Sequence, residues 1–70
     1  MKFVVVLEKT VNGFSAFSPD LPGCIATGPT ERETLRLMKE ALSFHIEGMK
    51  EEGLPLPVPT AQTTLIEISV

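Results

Sequence analysis

The chain has one cysteine, Cys24, and one histidine, His45. Together they are its only thiol–imidazole pair of the kind used for nucleophilic catalysis. A hydrolase would need the two side chains to meet, with a third group orienting the imidazole, and no such group is apparent. Cys24 follows Pro22-Gly23 and opens a short apolar run, where a thiol is expected to pack as a small hydrophobe. His45 falls among apolar residues of a helix, where an imidazole packs its ring and satisfies one nitrogen on a carbonyl. One cysteine and one histidine do not make a structural zinc site, and a lone cysteine cannot form an internal disulfide. The expectation is a protein without catalytic residues, cofactor or metal.

The charged residues point towards binding. Glu33, Glu40, Glu47 and Glu51 recur along one edge of the same helix, and Arg32, Arg36, Lys39 and Lys50 along another. An ordinary solvated face accounts for such a pattern. The functional reading is an acidic row that meets a basic partner. A formal net charge of −3 argues against nucleic acid as the main partner, because phosphate binding needs a cationic face. Trp and Tyr are absent, which also weakens that reading.

These residues must be positioned by few elements. Thr30 to Glu52 is the one stretch periodic enough for a substantial helix. Leu35, Leu37, Met38, Ala41, Leu42, Phe44, His45, Ile46 and Met49 share its apolar arc. Thr30 and Glu33 read as a capping box, and Gly53 with Pro55 beyond it as the stop. Gly48 inside the helix implies a close approach of helix to sheet. Lys2 to Glu8 is a β-branched strand, apolar on both faces. Asn12-Gly13 signals a hairpin into a second strand, Gly13 to Ser18. Pro19-Asp20-Leu21-Pro22-Gly23-Cys24 interrupts pairing: Pro22-Gly23 suits a type II turn, and Asp20 can cap nearby amides. Cys24 to Thr27 is a third strand. Leu54 to Pro59 alternates proline with aliphatics and is extended, either a strap or a ligand for a proline-binding module. Thr63 to Val70 reads as a last strand, with Thr64, Ile66, Ile68 and Val70 in one row. The architecture is therefore α+β, in the order β-β-β-α-β: a three-stranded antiparallel meander plus a C-terminal strand, with one helix on one face. Seventy residues make one domain, too small for comfortable stability alone. With one helix for a two-faced strand, a homo-oligomer, dimer or tetramer, is expected. No run reaches membrane-spanning length, and the expected location is the cytoplasm.

The string Gly13-Phe14, Pro19-Asp20-Leu21-Pro22-Gly23-Cys24, Gly28, Thr30, Glu40-Ala41-Leu42, Gly48 and Glu52-Gly53-Leu54-Pro55 with Pro57 resembles the HicB family of antitoxins over nearly the whole chain. The resemblance implies a partial RNase H-like fold that associates into dimers or larger oligomers. It implies binding and silencing of a small, basic, mRNA-cleaving toxin of the HicA type. Many family members carry a DNA-binding segment after this domain. Here the chain stops at Val70, within the expected last strand, which argues against operator binding. The fold also raises a metal-dependent nuclease reading. That chemistry needs converging carboxylates, yet Val4, Val5 and Val6 fill the middle of the first strand, and Glu8, Asp20 and Glu67 are scattered. The alternatives to an antitoxin are a nucleic-acid-binding domain or a solitary regulatory domain without a toxin.

Overall fold

A computed structural model describes residues 1–70. Three antiparallel strands, β1 (Val6–Lys9), β2 (Phe14–Phe17) and β3 (Ile25–Gly28), lie in that order, and α1 (Glu31–Glu51) packs across β2 and β3. Leu7 pairs with Ala16, and Ala16 with Ala26. Ala16 belongs to the buried core with Leu21, Cys24 and Met38, and Val5, Leu7, Ala26, Ala41, Leu42, Ile46 and Met49 pack against it. Since side chains alternate along a strand, Val6, Phe17 and Ile25, which are register partners, face the other way. There they form an apolar row on the sheet face that α1 does not cover.

Local chemistry explains each joint. The first hairpin closes with the Thr10 amide donating to the Gly13 carbonyl at 2.8 Å. No residue of that turn has positive φ, so Gly13 is not there for a left-handed turn. A Cβ on Gly13 would collide with the Gly28 carbonyl oxygen: the glycine lets β2 and the end of β3 approach. The Pro-rich loop is two successive turns, closed by Leu21 N–H to Ser18 O and Cys24 N–H to Leu21 O, each 3.2 Å. Gly23 has φ 84°, as a type II turn over Pro22-Gly23 requires.

Thr30 caps α1, its hydroxyl accepting from the Glu33 amide at 3.1 Å. The reciprocal half of the capping box is missing because the Glu33 carboxylate is engaged by Arg36. At the other end Gly53 (φ 70°) donates to Lys50 O and Leu54 to Met49 O, the paired bonds of a Schellman stop.

Three expectations need correction. First, residues 63–70 form no strand. None of their backbone groups is in a hydrogen bond, and all are exposed. Alternation supplies a strand's side-chain pattern, but a strand also needs a ladder partner, and these residues pair with none. For the same reason β1 begins at Val6, where its pairing to Phe17 begins, and not at Lys2. Second, Phe44 is 84% exposed. The core lies under Thr34 and Met38, and the apolar arc is wider than the surface the small sheet covers. Third, a Cβ on Gly48 would meet nothing within 4 Å, so no close packing explains that glycine. The close approach falls at Gly28 instead, where a Cβ would stand 2.7 Å from Thr34 Oγ1.

Candidate functional site

The Pro-rich loop is a structural clamp. Leu21 and Cys24 point inward and are buried, whereas Pro19, Pro22 and Gly23 are exposed. Asp20 does not cap its own loop. One carboxylate oxygen accepts from the Thr60 hydroxyl at 3.2 Å and the other from the Ala61 amide at 3.0 Å. These bonds fasten the Leu54–Pro59 segment back to the sheet, so that segment is a strap and not a free proline-rich ligand. The Ala61 bond is the largest cause holding the Asp20 carboxyl below its ordinary pKa; the Thr60 bonds add to it, and partial desolvation opposes. Ser18, beside this loop, is buried with its hydroxyl unpartnered.

The thiol–imidazole pair is not assembled into a reactive site. Cys24 packs among Ala16, Leu21 and Met38, and desolvation pushes its thiol pKa up, the opposite of nucleophile activation. His45 lies elsewhere, half-buried, with Phe44, Gly48, Met49, Glu52 and Leu54 around a shallow depression of about 270 Å³.

The wet face of α1 carries the remaining candidates. Arg36 donates to Glu33 at 2.5 Å and to Glu40 at 2.9 Å. Two of the four acidic residues are thus paired with one cation, which the sequence reading sets on a separate edge. At 100° per residue Arg36 sits only about 60° from Glu33, close enough for (i, i+3) and (i, i+4) pairing. Those bonds lower the Glu33 pKa and raise that of Arg36. Glu47 and Glu51 carry no such pair and are exposed. Phe44 lies between Glu40, four residues before it, and Glu47, three after, so both share its side of the helix. The missing side chain of Gly48 leaves space beside the ring. What α1 presents is an exposed aromatic with carboxylates on either side. Sequence reasoning missed Phe44 by assigning it to the core; the glutamates at both neighbouring positions were the available signal.

A second concave surface lies between the N-terminal segment and α1. Met1, Phe3 and Val5 form one wall, and Leu35, Leu42 and Ile46 the other, of a groove of about 420 Å³ with Lys39 and Glu47 at its rim. No helix is long and apolar enough to cross a membrane.

Comparison with known proteins places this geometry. Residues 3–68 match the family model described as HicB-like antitoxin of bacterial toxin–antitoxin system. An uncharacterized 14.9 kDa protein of the rep-hol intergenic region of Haemophilus phage HP1 is 44% identical over 81% of this chain and 43% of its own length. A UPF0150 protein of Thermoplasma acidophilum is 35% identical over 89% of this chain and 91% of its own. Among solved structures, a HicB3 antitoxin crystal structure superimposes with a TM-score of 0.71 at 37% identity, covering 86% of this chain and 44% of that one. A HicA3 and HicB3 toxin–antitoxin complex gives 0.67 at 35% identity, covering 84% and 72%. The chain therefore spans less than half the length of the phage relative and of the HicB3 antitoxin chain. The three-stranded meander with its single capped helix matches the HicB antitoxin structure, and the chain belongs to the HicB-like antitoxin family of bacterial toxin–antitoxin systems.

Proposed function

We propose that this chain is an antitoxin without catalysis of its own, which binds a small, basic, mRNA-cleaving toxin of the HicA type and covers its RNA-contacting surface. The observation that carries this reading is Phe44, an 84% exposed aromatic on a helix face shared with Glu40, Glu47 and Glu51. Aromatic residues, Phe included, are enriched at the cores of interfaces, with polar residues at the rim. A surface that holds RNA must be cationic, so carboxylates around an apolar anchor compete for it. Glu33 and Glu40 share one cation, Arg36, which leaves Glu47 and Glu51 as the carboxylates without an ion-pair partner. The likeness to a HicB3 chain solved with HicA3 supports the same class of partner.

The reading includes self-association. The row Val6, Phe17 and Ile25 lies on the uncovered sheet face, with Phe17 38% and Ile25 67% exposed, and a second copy is the partner proposed to cover it. The test of the toxin reading is co-expression with a small, basic, mRNA-cleaving toxin of the HicA type. Growth arrest by that protein, relieved by this chain and not by its Phe44→Ala, Glu47→Lys variant, is the expected result. Arrest that this chain does not relieve contradicts it.

A further inference from the structure

We infer that residues 62–70 of one copy lie along the open edge of β1 in a second copy, with Ile66, Ile68 and Val70 filling the groove between Met1–Val5 and α1. The inference deepens the self-association proposed above and does not depend on the toxin reading.

Two incomplete features of the molecule fit one another. β1 is the outer strand of the sheet, with one edge unpaired. Met1–Val5 continue it beyond its last partner on β2, so that segment lacks a ladder on either side. An unpaired edge is a template for another strand. Beside it the groove of about 420 Å³ is walled by Phe3, Val5, Leu35, Leu42 and Ile46. The tail has the complementary properties. Thr64, Ile66, Ile68 and Val70 alternate with Leu65, Glu67 and Ser69, so one face of an extended chain is apolar and the only charge lies on the other. Ile66, Ile68 and Val70 are exposed, and no backbone group past Ala61 is hydrogen-bonded.

The tail leaves its own body. Asp20 holds the chain at Thr60 and Ala61, and the residues beyond project outward. The radius of gyration is 13.9 Å, against about 11 Å for a compact chain of this length. The longest dimension is 49 Å, well beyond the roughly 31 Å of the α1 axis. The groove stays open while the segment that matches it points away. A second copy supplies that segment at fixed stoichiometry. Reciprocal exchange about a twofold axis closes both edges at once. It removes two tails and two grooves from water.

The experiment uses the full chain. Light scattering gives the mass of the wild type and of an Ile66→Asp, Ile68→Asp variant, with far-UV circular dichroism checking that α1 persists. Isotope-filtered NMR on a mixture of ¹³C-labelled and unlabelled chains asks which Phe3 ring the Ile66 and Ile68 methyls touch. Expected are a wild-type dimer or larger closed oligomer, methyl-to-Phe3 contacts between chains, and at least about a hundredfold weaker association in the variant. A wild-type monomer overturns both exchange and self-association. An oligomer that the variant leaves unchanged, or contacts only within one chain, overturns exchange and leaves association through the Val6–Phe17–Ile25 face standing.

Discussion

The loop from Ser18 to Cys24 and the tail from Thr63 to Val70 are both irregular in this chain, yet they differ in every physical respect. The loop closes two turns on itself, buries Leu21 and Cys24, and grips the strap through Asp20. The tail makes no backbone hydrogen bond and buries nothing. The loop's partners lie within four residues or are brought to it by the helix stop at Gly53. The tail has the alternation of a strand but is paired with nothing. Local chemistry therefore determines the first region, and the exchange proposed above would determine the second.

Breaking the body should cost far more than altering the tail. Met38 is 1% exposed at the centre of the core, and Met38→Ala should cost about 2–5 kcal/mol, a large share of the stability of a domain this size. Leu65→Ala, on the tail's outer row, should stay within about 0.5 kcal/mol. Urea denaturation followed by circular dichroism compares them, and equal losses would erase the distinction. Next in size is Gly13→Ala, which forces the β2–β3 approach apart and should cost about 1–3 kcal/mol by the same measurement. Gly23→Ala must enter positive φ and should cost about 1 kcal/mol. The smallest effect is at the clamp. Asp20 has a depressed pKa, so its contribution is complete above the ordinary carboxylate range and lost as pH falls through the depressed value. Hydrogen exchange at the Ala61 amide should therefore be slowed at neutral pH and lose that protection in acid. In Asp20→Asn it should lack this acid-sensitive step. A wild-type amide equally protected across the acid range would show that the carboxylate does not hold the strap.

Much of the fold was legible in the sequence because it is local. The Thr30 cap, the Gly53 stop, the Pro22-Gly23 turn and the hairpin near Gly13 each depend on a few neighbouring residues, and each stands where the sequence places it. The errors share one cause. The role of Gly13, the partners of Asp20, the exposure of Phe44 and the missing last strand depend on what lies across space. Gly13 meets Gly28, and Asp20 meets a strap some forty residues on. Phe44 falls outside the width of a three-stranded sheet, and the alternating tail is paired to neither edge of that sheet. The acidic row was legible as composition, but Arg36 lies near enough to Glu33 and Glu40 to bridge them.

The central claim is that the wet face of α1, through Phe44, Glu47 and Glu51, meets a cationic toxin. The most direct measurement is the association rate of a HicA-type toxin with wild type and with the Glu47→Lys, Glu51→Lys variant, at low and high salt. Circular dichroism and light scattering confirm that fold and assembly are unchanged. The account predicts that the variant associates more slowly at low salt, that the gap narrows as salt rises, and that Phe44→Ala mainly speeds dissociation. Equal association rates at low salt, with Phe44→Ala dissociating like the wild type, would contradict it.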